Sequence, residues 1–194
     1  IQLPENTFLE ELKLLCKQNG SLLIVDEIQS GYGRTGKFFA HQYAKFEPDL
    51  ITIAKGMGNG FPIGGILIHP DIKPWSGMLG TTFGGNHLAC AAGLAVLEVI
   101  DSEGLIDHAN LIGKVLWNGL GSLENLTQIR GRGLMIGLDL EEDSKSFRSS
   151  LLKDQYVFVG SAMQSNTVRL LPPLGVKKEE LVIFLEAFKK VWYA

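Results

Sequence analysis

The stretch LITIAKGMGNGFPIGG, residues 50–65, decides how this chain is read. Leu50, Ile51, Thr52, Ile53 and Ala54 form a short apolar, β-branched run that predicts a buried strand. The run ends on one cation, Lys55, and glycine then recurs at 56, 58, 60, 64 and 65. Open parallel sheets bind ligands beyond the carboxyl ends of their strands, where Lys55 stands. Removing a lysine from water favours its neutral amine, which is a nucleophile towards a carbonyl. Small neighbours let backbone and a flat ligand come close. Taken alone, Lys55 also reads as a solvated loop lysine.

The flanking sequence supplies the sheet. LLIVDEI (22–28) and GGILIH (64–69) read as further strands, the first running into two acids. Residues 5–19 carry a stripe of Phe8, Leu12, Leu15 and Cys16 that ends at Gly20, which predicts an amphipathic helix. NHLACAAGLAVLEVI (86–100) is apolar nearly all round, as in a helix buried within a large protein, and a second helix is expected over 105–120. Continuous apolar strands alternating with helices predict a parallel sheet covered on both faces. The texture then changes. TQIRGRGLMIGLDL, YVFVG and TVRLLPPL read as strands, and KKEELVIFLEAFKKVW as a closing helix striped by Leu181, Phe184, Leu185, Phe188 and Trp192. A boundary near 104 divides the chain into domains 1–103 and 104–194.

Composition excludes several function classes. The chain has 194 residues, 45% hydrophobic and 20% charged, with a formal net charge of -3. Without a Lys/Arg run it offers no footprint for nucleic acid or an anionic membrane. No apolar run is long enough to span a bilayer, and no signal-peptide pattern opens the chain. Cys16 and Cys90 sit far apart in apolar helical patterns and read as buried thiols in a reducing compartment, the cytoplasm. Histidines 41, 69, 87 and 108 lack metal-ligand spacing, so no metal is expected. The chain opens on Ile1 and soon enters a helix, which fits a piece of something longer.

Two glycine-rich segments compete for a phosphate. SGYGRTG (30–36) contains a formal GxGxxG, but Asp26, Glu27 and Gln29 lie between it and the strand and only a weak helical pattern follows. It reads as a loop needing positive φ, with a nucleotide site as the alternative. GTTFGGNH (80–87) precedes the apolar helix. There Thr81 and Thr82 offer hydroxyls, Gly84 and Gly85 allow close approach, and the helix start favours an anion, although Asn86 equally suits an ordinary cap. Asp26 lies at a strand end like Lys55, with Ile28 on its face and Gln29 following. Such an acid could keep a pyridine nitrogen protonated beside a lysine Schiff base, with Gln29 bonded to the ring's phenolic oxygen and Ile28 packed on its face. Arg169, within an apolar strand, needs a partner: a substrate carboxylate or a salt bridge.

Taken in order, VDEIQSGYGRTG, AKGMGNGFPIGG, GTTFGGNHLACAAGLAVL and RLLPPL resemble the class III, pyridoxal-phosphate-dependent aminotransferases. The resemblance runs from Ile1 to Ala194 but covers only the C-terminal half of the family pattern. It implies a fold-type-I α/β architecture: part of the large-domain, mostly parallel sheet, followed by the small C-terminal α/β domain. It also implies that Lys55 forms the Schiff base with pyridoxal phosphate and moves the proton, while Asp26 pairs with the pyridine nitrogen. Gln29 and Ile28 take the ring contacts described above. Thr82 binds the phosphate of a neighbouring subunit's cofactor with Thr81 beside that subunit's substrate, and Arg169 holds the α-carboxylate. The implied assembly is a homodimer with shared sites. The implied reaction moves the terminal amino group of N-acetylornithine, or a close N-acylated relative, to 2-oxoglutarate; ornithine and 4-aminobutyrate are alternative donors. His87 departs from the proline common at that position, which a first helical turn prefers but does not require. The family's own phosphate loop and cofactor-stacking aromatic have no counterpart here, so the chain by itself is expected to be inactive.

Overall fold

The computed structural model describes residues 1–194. In chain order the elements are α1 (Asn6–Gln18), β1 (Ile24–Asp26), β2 (Leu50–Ile53), β3 (Gly65–Ile68), α2 (His87–Ser102), α3 (Leu105–Gly121), β4 (Gln128–Arg132), β5 (Met135–Asp139), α4 (Ser144–Gln155), β6 (Gly160–Ser161), β7 (Thr167–Leu170) and α5 (Lys178–Trp192). The chain resolves into two compact units. One holds Ile1–Leu3, Arg34–Gly36 and Ile106–Ala194; the other holds Pro4–Gly33 and Lys37–Leu105. No helix is long and apolar enough to cross a membrane.

The unit containing Lys55 is built on a three-stranded sheet, β1-β2-β3. β1 and β2 are parallel, with Ile24 opposite Leu50 and Asp26 opposite Thr52. β3 is antiparallel to β2, which corrects the parallel expectation for that pair. The reason is the connection: residues 54–64 contain only a short 3-10 turn, Lys55–Met57, and a parallel return needs a crossover of a dozen or more residues. Nor are both faces covered, since Ile24, Ile66 and Leu67 are exposed. The apolar helix α2 likewise exposes Leu88, Leu94, Leu97 and Val99 and buries only Ala89, Gly93 and Ile100. Cys90 lies on that open surface and Cys16 is partly buried, so the reading of both as buried thiols fails; both are unpaired.

The other unit has a conventional core. Its antiparallel sheet runs β4-β5-β7-β6. Ile136, Leu138, Val168 and Leu170 project from one face onto Ile112, Leu116 and Leu120 of α3 and onto Leu181 and Phe188 of α5. Two elements differ from the sequence reading. Residues 144–155 form α4, capped by Asp143, which accepts from the N–H of Lys145. YVFVG is strand only from Gly160, because Tyr156 closes α4 in a left-handed conformation and Val157 N–H bonds back to Leu151.

Candidate active site

Asp26 ends β1 and Lys55 lies two residues past the end of β2. Because the two strands are parallel neighbours in register, both side chains belong to one sheet edge, the carboxyl edge. Lys55 has φ +45°, a left-handed conformation that is uncommon outside glycine. Backbone of this kind clusters at functional sites. The backbone of Asp26 and Glu27 is fixed as well: Glu27 N–H donates to Thr52 O, and Asp26 Oδ1 accepts from Ile28 N–H at 2.9 Å. Ile28 and Gln29 follow, both half-buried.

The glycines answer to two needs. A Cβ on Gly58 would strike the carbonyl of Phe61, and one on Gly56 would lie 3.2 Å from the Tyr32 side chain, so these two let the Lys55 turn pack down. Gly60, at φ +102°, faces open space. Gly56 and Gly58 thus compact the turn, while Gly60 answers the positive φ of its own backbone. Asp26 and Lys55 are both exposed within this unit, so the expected desolvated pocket is not formed by these residues; glycine neighbours contribute no wall.

Thr81 and Thr82 are exposed in the loop before α2. Thr81 Oγ1 accepts from Gly84 N–H at 3.1 Å, and Asn86 caps α2 by accepting from Ala89 N–H at 3.0 Å. Asn86 is therefore the cap that this segment also suggested, and the two threonines lie at the surface.

SGYGRTG does not form a nucleotide site. Gly33 and Gly36 take positive φ, as expected of a loop, but no α-helix follows; only a 3-10 turn forms at Ala40–Tyr43. Gly36 O accepts from Asn110 Nδ2 at 2.7 Å, Leu134 N–H donates to Arg34 O, and Arg34 Nη1 donates to Pro172 O. These contacts make residues 34–36 a strap on their own unit.

One residue near the site escaped the sequence reading. Glu27 is 1% exposed. Its carboxylate accepts from the Ser30 hydroxyl at 2.5 Å, from the N–H groups of Ala40 and His41, and from His41 Nδ1 at 3.0 Å. Burial alone would raise its pKa; the hydrogen bonds from His41, Ser30 and Ala40 outweigh it and hold the carboxyl below the ordinary glutamate range. The available signal was the second acid of VDEI, inside an apolar run and therefore in need of partners.

Arg169 stands in the other unit, on β7. None of the chain's ion pairs includes it, and its Nε is buried without a hydrogen-bond partner. The alternative reading of Arg169, a structural salt bridge, is therefore not what the fold provides.

Does this residue set fit pyridoxal phosphate? Three observations answer. A lysine with left-handed backbone shares a sheet edge with an acid, the buried Thr52 Oγ1 opposite Asp26 has no partner, and a Cβ at Gly60 would meet no atom. The set fits. The fold and residue pattern are those of a fold-type-I pyridoxal-phosphate enzyme. Residues 1–192 match the model of the family "Aminotransferase class-III", and the chain belongs to that family, whose members use pyridoxal phosphate. It is 40% identical to the acetylornithine aminotransferase of Oceanobacillus iheyensis over 98% of this chain and 49% of the relative. It is 42% identical to that of Brucella melitensis over 91% of this chain and 45% of the relative. The chain thus spans about half the length of the curated relatives it matches. Among solved structures, the ornithine δ-aminotransferase of Plasmodium falciparum superposes with TM-score 0.87 at 29% identity, covering all of this chain and 51% of that one. The acetylornithine aminotransferase of Elizabethkingia anophelis gives 0.84 at 29% identity, covering 98% of this chain and 52% of that one.

Proposed function

We propose that the whole protein is a transaminase that moves the terminal amino group of N-acetylornithine, or a close N-acylated relative, to 2-oxoglutarate. The single observation that carries this is the strained Lys55 beside Asp26 at the carboxyl edge of two parallel strands. Bound pyridoxal phosphate supplies the electron sink for exchange of an amino group with a keto acid. Lys55 is its covalent anchor and carries the proton at its Nζ. Asp26 holds the ring nitrogen protonated, Gln29 meets the phenolic oxygen, and Ile28 walls one ring face. Thr82 binds the phosphate of a partner subunit's cofactor with Thr81 beside its substrate; exposed Trp75, Leu79 and Phe83 near these threonines support a partner there, and hence a homodimer. Arg169, unpaired in its own unit, takes the α-carboxylate of donor and acceptor. Residues 1–103 belong in this reading to the large domain and 104–194 to the small one, and two unpaired thiols agree with a cytoplasmic protein.

Lys55→Ala in the whole protein is the test. It removes no core volume, so the fold should persist while transamination and the borohydride-reducible visible absorbance both vanish. Near-normal turnover in that variant would end the assignment. Similarity to solved ornithine aminotransferases supports ornithine as a second donor reading; initial rates with ornithine against N-acetylornithine, each with 2-oxoglutarate, separate the two.

A further inference from the structure

Tyr32, in the glycine-rich loop after β1, is buried at 6% exposure and takes φ +56°. A bulky aromatic in left-handed backbone is an outlier, because its Cβ crowds the following carbonyl. Glycine relieves that crowding, and Gly31 and Gly33 stand on either side. A tyrosine at such a position is there for its side chain. Burial raises the pKa of the phenol, so the group stays neutral and brings no charge to the site. Its ring lies among Phe38 and Phe39, with centroids 5.1 Å and 6.3 Å away, and those two rings meet edge-on at 4.8 Å. Its stem lies against Gly56: a Cβ built there would come 3.2 Å from Tyr32 Cβ and 3.7 Å from its Cγ. Gly56 has no left-handed φ to answer, so what it provides is space for this contact. It also directly follows Lys55, whose own φ is +45°.

We propose that Tyr32 is a positioning residue for Lys55. Held by two phenylalanines, it presses on Gly56 and fixes the peptide that leaves the lysine. The far side of the turn is closed by Met57 N–H on Ala54 O at 3.0 Å and Gly58 N–H on Lys55 O at 3.1 Å. Between these restraints the Lys55 backbone keeps its left-handed conformation, and its Cα–Cβ bond leaves the carboxyl edge in one direction. Without Tyr32 the backbone relaxes towards the right-handed region that L-residues favour, and the side chain sets out elsewhere. A misplacement of about 1 Å in a reacting group costs up to ~100-fold in rate.

The inference rests on the reading of Lys55 as the cofactor anchor, and the experiment separates the two. Tyr32→Gly, Tyr32→Phe, Gly56→Ala and the double variant Tyr32→Gly with Gly56→Ala are made in the whole protein. Measured in each are kcat, both KM values, Tm, the dissociation constant for pyridoxal phosphate, and the pH at which the visible absorbance of the loaded protein titrates. Tyr32→Gly is expected to lower kcat and weaken pyridoxal phosphate about tenfold each and to move the titration by about half a pH unit or more, with both KM values within about twofold. Tyr32→Phe keeps the ring and is expected to restore every value to within about twofold of the parent. Gly56→Ala alone crowds Tyr32 Cβ and should reproduce the Tyr32→Gly changes; once the tyrosine is gone, the added methyl should cost less than about a further twofold. A Tyr32→Gly protein with a lowered Tm but parental kcat, dissociation constant and titration overturns the role of Tyr32 and leaves Lys55 standing, as does a Gly56→Ala loss of equal size in both backgrounds. Where Tyr32→Gly does not fold, Gly56→Ala decides: parental values there overturn the role. Retained turnover and visible absorbance in Lys55→Ala overturn the anchor reading itself, and the role of Tyr32 with it.

Discussion

Lys55 and Glu27 illustrate two uses of a charged residue at a sheet edge. Lys55 is exposed and has a left-handed backbone, as the proposed anchoring role requires of a group that meets a ligand; Glu27 is buried and fully partnered, as a group that fixes its surroundings is. The Glu27 carboxylate ties the end of β1, where Asp26 and Ile28 flank it, to the turn at Ala40–Tyr43, and its His41 partner stacks on Phe39 with ring centroids 5.6 Å apart. Its lowered pKa fixes the sign of its pH dependence. The stabilisation is complete above the unfolded-state value of about 4.3 and is lost as pH falls through the lower folded-state value. Glu27→Gln keeps the shape but loses the charge and must turn its amide NH2 towards donors. It should cost about 1–3 kcal/mol near neutrality, because a buried polar group is left badly partnered. The deficit relative to the parent should shrink as the pH drops below the ordinary glutamate range. Thermal unfolding of both proteins across acidic to neutral pH measures this; a deficit constant with pH would show that the charge is not what the site uses.

At the level of elements, α5 and the sheet of its own unit carry most of the packing. Phe188 is fully buried, with Phe147 at 4.9 Å, Phe184 at 5.6 Å and Trp192 at 6.0 Å between ring centroids. Phe188→Ala should cost about 3–5 kcal/mol through lost transfer energy and a residual cavity. Denaturant unfolding checks this, and a loss below about 1 kcal/mol would mean that the aromatic cluster relaxes into the space. α5 was readable in advance because its stripe, Leu181 to Trp192, keeps one period over about three turns. α1 was readable for the same reason, and α2 and the strand at 50–53 from continuous apolar runs. α4 was not: SKSFRSSLLKDQ spaces few apolar residues among polar ones, and its start is set by a local cap at Asp143. The apolar run YVFVG misled in turn, because a helix cap consumed its first residues. β3 was found as a strand, but its direction depended on whether residues 54–64 could form a crossover, which apolar patterning does not encode. Lys55, Asp26 and Arg169 stood out as charges in or at the ends of apolar runs; the second acid of the VDEI run, Glu27, stood out equally, but its partners lie 3–14 residues on in a loop without periodicity.

Across the whole molecule the two units differ in how completely they bury apolar surface. The unit of β4 to β7 encloses residues of α3, α4, α5 and its sheet down to zero exposure, including Leu120, Leu138, Leu151 and Phe188. The unit bearing Lys55 buries far fewer large apolar side chains: Tyr32, Ile53 and Ile100 are covered, while Leu88 is 72% exposed and Phe83 80%. Its three-stranded sheet also leaves the outer sides of β1 and β3 without a neighbouring strand. Exposed apolar area of this kind, beside open strand edges, drives association between copies unless another segment covers it. The 194-residue chain produced alone is therefore expected to self-associate, to bind pyridoxal phosphate weakly and to show no measurable transamination, because Lys55 and Asp26 stand in water where charge interactions are weak. Light scattering should give a mass that rises with concentration above the 21.2 kDa of one chain. Co-expression with the N-terminal half of the 40%-identical Oceanobacillus iheyensis relative, the part of its length that this chain does not match, is expected to suppress that rise and restore bound cofactor. Replacing Leu88 and Leu94 of α2 by lysine should reduce self-association of the lone chain and also abolish rescue by the added half, if the same face serves both. A lone chain that stays monomeric at its solubility limit would show that the exposed leucines are tolerated by water and that the α2 face is not an interface; loss of association without loss of rescue would place the docking surface elsewhere, on the edges of β1 and β3.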